Sequence, residues 1–126
     1  MIKAVIIEDE EKGLNNLKSL LGKYCEQVSV IGEAVSVESG LKLLSKPGFT
    51  PYVAFFDINL PDGLVFQLLN QLSSITFDII FVTAYEKFAV KACQYSSIGF
   101  IIKPIDPDEL KEAVSRIRKG NAHKIN

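Results

Sequence analysis

Apolar positions along this chain follow two alternating rhythms. Short unbroken runs, Lys3–Ile7, Val28–Ala34, Val53–Phe56, Asp78–Val82 and Phe100–Ile102, are rich in β-branched and aromatic residues. Such runs predict strands buried on both faces. Between them, apolar residues recur every three or four positions: Leu14, Leu17, Leu21 and Tyr24; then Val37, Leu41 and Leu44; then Phe66, Leu69 and Leu72. Each set is one face of a helix. Phe88–Tyr95 predicts a short fourth helix. The fifth has the clearest start signal, with Asp106 as N-cap, Pro107 at the first helical position and Glu109 placed to complete a capping box. Its apolar face is Leu110, Ala113, Val114 and Ile117, and Gly120 is its expected end.

Five strands alternating with five helices predict an α/β fold whose parallel sheet is covered on both faces, because every parallel connection needs a crossover. Right-handed crossovers leave few topologies. The flavodoxin-like, doubly wound (βα)5 three-layer sandwich, with strand order 2-1-3-4-5, suits this length.

Composition narrows the function classes. A chain of 126 residues predicts one domain, and 48% hydrophobic content excludes a disordered segment. Fourteen basic against fifteen acidic residues leave a net charge of −1, which excludes this domain alone as a general nucleic-acid binder. Cys25 and Cys93 are too few for a disulfide framework and are expected as reduced thiols. The run Ala4-Val5-Ile6-Ile7 stops at Glu8-Asp9-Glu10-Glu11, so neither a signal peptide nor a membrane span is expected. These features predict a soluble, cytoplasmic protein. Residues 1–119 are expected to form the domain, and 120–126 a polar tail or the start of an interdomain linker.

In sheets of this kind function gathers beyond the carboxyl ends of the strands. Those ends carry Glu8 and Asp9, then Asp57, then Thr83, then Lys103. Three carboxylates, a hydroxyl and an ammonium therefore converge on one rim. Crowded carboxylates must protonate or share a cation. An all-oxygen donor set suits Mg²⁺ or Mn²⁺, while zinc is excluded because the single histidine, His123, lies in the tail.

Four blocks carry a resemblance: Ile6-Ile7-Glu8-Asp9-Glu10, Phe56-Asp57-Ile58-Asn59-Leu60-Pro61, Val82-Thr83-Ala84-Tyr85 and Ile102-Lys103-Pro104-Ile105-Asp106. Together, in this order, they resemble the signature blocks of bacterial response-regulator receiver domains, whose fold is CheY-like. The stretch Thr83–Ala92 is most similar to the LytR/AlgR subgroup, in which a LytTR DNA-binding domain usually follows. The resemblance implies that Asp57 is the phosphoacceptor, taking a phosphoryl group from a sensor histidine kinase. It implies Mg²⁺ (or Mn²⁺) held by Asp9, Asp57 and the Asn59 backbone carbonyl, with Glu8 acting through water. Lys103, the Thr83 hydroxyl and the Ala84 backbone N–H would contact the phosphoryl group. It further implies a switch through Thr83 and Phe100, lacking the hydroxyl that many relatives carry at position 100, and a cis Lys103–Pro104 peptide. Output would pass through the face of helix 4, strand 5 and helix 5, which also serves for homodimerisation in relatives. DNA would be reached only through a separate C-terminal domain. One departure is Val65, which stands where receivers usually carry glycine, so the loop after Asp57 should turn differently or helix 3 should start earlier.

Three other readings start from the same residues. A degenerate receiver would act only as a protein-interaction domain, and the presence of all five site residues argues against it. A Mg²⁺-dependent phosphatase with an aspartyl nucleophile usually needs a second aspartate two positions on, and Asn59 stands there. A flavin-binding module needs a phosphate loop after strand 1, where Glu8-Asp9-Glu10-Glu11 would repel phosphate.

Overall fold

The computed structural model describes residues 1–118. The main sheet consists of β1 (Ile2–Ile7), β2 (Val28–Ala34), β3 (Val53–Phe56), β6 (Asp78–Thr83) and β7 (Gly99–Ile102). All pairings are parallel, in the order β2-β1-β3-β6-β7. This is the expected 2-1-3-4-5 arrangement, with two additional strands intervening in the chain. Those two, β4 (Asn59–Leu60) and β5 (Gly63–Leu64), form a separate antiparallel ribbon immediately after β3.

Alternation along the strands divides the core in two. On one face, Ala4 and Ile6 of β1, Val53 and Phe55 of β3, and Ile80 and Val82 of β6 pack under α1 (Glu11–Tyr24) and α5 (Pro107–Ser115). On the other, Val5, Ile7, Ala54, Phe56, Ile79 and Phe81 meet α2 (Val37–Leu44), α3 (Val65–Gln71) and α4 (Ala89–Cys93). Phe66 on α3 gathers an aromatic group, stacked on Tyr95 at 5.1 Å and tilted against Phe81 at 5.7 Å. The Tyr95 hydroxyl donates to Asn70 Oδ1 at 2.9 Å, tying the end of α4 to α3.

Helix boundaries differ from the sequence pattern where local hydrogen bonding decides. The fourth helix shrinks to a 3₁₀ turn, Glu86–Phe88, followed by five α-helical residues. Its end tightens through bonds from the N–H groups of Gln94, Tyr95 and Ser96 to carbonyls three residues back, and Ser96 then turns left-handed at φ 56°. At α5 the Asp106 carboxylate does cap, but it accepts from the Asp108 N–H at 2.8 Å rather than from that of Glu109. The full capping box is at α2, where Ser36 and Ser39 satisfy each other's backbone N–H groups. The helix α5 ends at Ser115, although Ile117 beyond it is still buried. Gly120 and the tail 120–126 lie outside the described residues. Cys25 is buried at the end of α1, Cys93 is exposed on α4, and both are free.

The apolar side of α5 is expected to contribute strongly to stability. Leu110 is fully buried, so Leu110→Ala should lower the unfolding free energy by about 2–5 kcal/mol. Val90 on α4 is 80% exposed, and Val90→Ala should stay within about 0.5 kcal/mol. Urea unfolding of the two variants checks the contrast.

Candidate functional site

Four strand ends build the site. The β1 chain runs on from Ile7 into Glu8, whose N–H donates to the Ala34 carbonyl at 3.0 Å; Asp57 follows β3, its N–H donating to Ile7 O at 2.9 Å. Parallel pairing thus carries β1 and β3 one residue past their ends in register, and Glu8 and Asp57 leave side by side. Thr83 closes β6 and Lys103 follows β7, the Lys103 N–H donating to Thr83 O at 2.8 Å. The Lys103–Pro104 peptide is cis, as the resemblance implied.

The side chains meet. Carboxylate oxygens of Glu8, Asp9 and Asp57 lie within 4.8 Å of one another, Asp9 being the exposed member. Lys103 Nζ donates to Glu8 Oε1 at 2.5 Å and to Asp57 Oδ2 at 3.2 Å. The remaining oxygens are also engaged: Asp57 Oδ1 accepts from the Ile58 N–H at 2.7 Å, and Glu8 Oε2 from the Glu10 N–H at 3.2 Å. Glu8 is 5% exposed and Asp57 8%. Burial pushes the Glu8 carboxyl above its ordinary range; the Lys103 hydrogen bond opposes this, while the Asp57 charge adds to it. For Lys103, burial works against the charged form, but the hydrogen bonds and charges of Glu8 and Asp57 together raise its pKa.

Thr83 is completely buried, and its Oγ1 accepts from the Tyr85 N–H at 3.4 Å. Strand alternation places Thr83 on the same sheet face as Phe81, and Phe100 pairs opposite Phe81 in the ladder. The Phe100 ring is half-buried, 6.3 Å from that of Phe81. Ala84 is exposed beside Thr83, and Asn59, also exposed, opens the short ribbon two residues after Asp57. Val65, in place of the usual glycine, is the first residue of α3 and fully buried. Gly63 makes the turn instead, at φ 143°.

Two features of the site were not drawn from the sequence. The direct Glu8–Lys103 ion pair joins residues expected in separate roles. Gly13, in the first turn of α1, makes room for it: a Cβ there would stand 2.7 Å from Glu8 Oε1 and 3.3 Å from Lys103 Nζ. The only sequence signal was a glycine inside a helical pattern, which disfavours the helix unless something needs the space.

The donors fit a hard divalent cation. They are all oxygens, three carboxylates cluster beside one ammonium that pairs with two of them, and the third is open to solvent. A doubly wound parallel sheet bearing an acid cluster and a lysine on its carboxyl rim is the arrangement expected of a regulatory domain of the receiver class. Residues 4–115 match the family model described as the response regulator receiver domain. The chain belongs to that family, the receiver domains of two-component systems. It is 32% identical over 127 residues to the sensory transduction protein LytT of Bacillus anthracis, covering 99% of this chain and 50% of that protein. It is 35% identical over 120 residues to LytR of Staphylococcus haemolyticus, covering 93% and 45%. Among solved structures it resembles the response regulatory domain of protein mrkE from Klebsiella pneumoniae, with TM-score 0.78, 26% identity and coverage of 98% and 99%. A CheY-like receiver domain from Methanospirillum hungatei JF-1 gives TM-score 0.75 at 25% identity, with 91% of each chain covered. The chain spans about half the length of the curated relatives it matches. No described helix is long and apolar enough to cross a membrane.

The raised Glu8 pKa has a signed consequence. A group whose folded pKa exceeds its unfolded value of 4.5 loses its stabilising proton as pH rises through the folded value. The cation-free wild-type domain should therefore lose stability over that range, and Glu8→Gln should not. Urea midpoints from about pH 4 to 7 are expected to move in the variant's favour as pH rises; movement the other way contradicts the assignment.

Proposed function

We propose that this domain accepts a phosphoryl group on Asp57 from a sensor histidine kinase. The observation that carries the reading is the position of Asp57, with Lys103 Nζ 3.2 Å from one carboxylate oxygen and two further acidic side chains beside it. In the transfer, Asp57 Oδ attacks phosphorus while the P–N bond to the donor imidazole breaks, and the bonding pair leaves with the imidazole nitrogen. The difficulty is an anion approaching an anion. Mg²⁺, or Mn²⁺ in its place, would supply the positive charge that neutralises part of this repulsion. Asp9, Asp57 and the Asn59 carbonyl would hold the ion, with Glu8 acting through water. Lys103 is already charged and half-sheltered, so it can turn one N–H toward a phosphoryl oxygen without a large reorganisation. The Thr83 hydroxyl and the Ala84 N–H would take the oxygens on the opposite side.

The new dianion would draw Thr83 inward, and Phe100, on the same face of the sheet, would follow by packing alone. The readout is then a change in the α4–β7–α5 face; Val90 of α4 and Tyr85, shortly before it, are exposed. That face would contact a second copy or an output domain. The similarity to the sensory transduction proteins LytT and LytR supports an output through a separate DNA-binding domain of the LytTR type, by which the protein would control transcription in the cytoplasm. The chain would act as a regulator with at most slow self-phosphorylation and dephosphorylation. Asn59, where a phosphatase would have its second aspartate, supports this over steady turnover of phosphomonoesters.

Intact mass after incubation with acetyl phosphate and Mg²⁺ tests the reading. One phosphoryl adduct is expected on the wild type and none on Asp57→Asn. Lys103→Ala should be labelled on the order of 100-fold more slowly. An adduct on Asp57→Asn would refute the assignment.

A further inference from the structure

The loop that follows Asp57 is held from outside. Asp62, at its tip, reaches to the start of α2, where Oδ1 accepts from the Val37 N–H at 2.7 Å and Oδ2 from the Glu38 N–H at 3.0 Å. These two residues are 25 and 24 positions away in sequence, so the bonds join separate parts of the rim. They are charge-assisted bonds at the positive end of a helix, and the Val37 bond, followed by that to Glu38, holds the Asp62 carboxyl below its ordinary range. The helix does not depend on Asp62 for its start, because Ser36 and Ser39 already form a complete capping box.

The ribbon has the greater need of support. Its strands β4 and β5 are two residues each, far below what is stable alone. Pro61 and Asp62 form the connection, Gly63 turns at φ 143°, and the Val65 N–H closes the loop onto Ile58 O at 2.8 Å. A residue with a Cβ is strained at that φ. The turn therefore rests on Gly63 at its base and on the Asp62 carboxylate at its tip. Asn59 lies inside it.

We propose that Asp62 is a positioning residue for the phosphoacceptor loop: its two-pronged grip on the first N–H groups of α2 fixes the ribbon and so the main chain of Asn59 beside Asp57. The inference rests on the reading of Asp57 and Asn59 given above and adds to it a group that touches neither metal nor phosphoryl. It also accounts for how the loop keeps its shape with Val65 in place of the usual glycine.

The test measures Mg²⁺ affinity by calorimetry on the full chain, together with amide exchange, for the wild type, Asp62→Ala and Asp62→Asn. Asp62→Ala is expected to bind Mg²⁺ about tenfold more weakly, the lower end of the effect seen when a group supporting a metal ligand is removed. Its amides should exchange faster at 37 and 38 and also across 59–64. Asp62→Asn, which keeps one acceptor oxygen, should fall between, and it decides the question if the alanine variant does not fold. Unchanged Mg²⁺ affinity, with faster exchange confined to the first turn of α2, would make Asp62 a helix cap only and overturn the inference. That failure differs from failure of the underlying reading, in which the wild type itself would neither bind Mg²⁺ nor be labelled at Asp57.

Discussion

Three carboxylates crowd beside one ammonium at the rim of this sheet, and much of the molecule is arranged around that imbalance. Burying Glu8 and Asp57 beside each other is costly unless positive charge is near. Lys103 supplies one such charge and divides it between them. Each oxygen of the Glu8 and Asp57 carboxylates has a donor, from Lys103 or from the backbone of Ile58 and Glu10, so the crowd is held in one geometry. Asp9, exposed, leaves the acid excess facing solvent. Such a rim suits the divalent cation and the phosphoryl charge that the proposed function brings to Asp57.

The parallel ladder makes this possible. Neighbouring strands end at nearly the same height, so residues distant in sequence reach a common edge without long loops. The same ladder separates two apolar layers. Glu8, Asp57 and Lys103 stand on the rim, while Thr83 and Phe100 share the sheet face that carries α3, α4 and the aromatic group around Phe66. In the proposed function, a change at Asp57 has a direct packing route to that face. No such aromatic group lies under α1 and α5 on the opposite side among the described residues.

Long-period features were legible in the sequence, and contacts made by single side chains were less so. Five buried runs and their helical stripes locate the main sheet, because hydrophobic periodicity reports burial directly. The strand-end residues 8, 9, 57, 83 and 103 were legible for the same reason: once the strands are placed, their ends are too. Local caps were harder. Asp106 and Glu109 matched a capping box by type, but the bond formed at Asp108, whereas the Ser36–Ser39 box carried no acidic residue to mark it. The fourth helix was shortened by a left-handed Ser96 that periodicity cannot register. Gly63 and Val65 signalled a different turn, but the two-stranded ribbon and its Asp62 fastening depend on a helix that precedes it by some twenty-five residues. The reason for Gly13 lies in Glu8 and Lys103, distant side chains that occupy the space beside it.

In the proposed function the acid cluster is a cation site directly beside the phosphoacceptor. Titration of the isotope-labelled domain with Mg²⁺, followed by amide resonances, tests it most directly. A single saturable binding event is expected, with shifts concentrated at 8–10, 57–59, 83–84 and 103, and loss of that event in Asp9→Asn. Resonances at these positions that stay still, or that drift without saturating while others move, would contradict it.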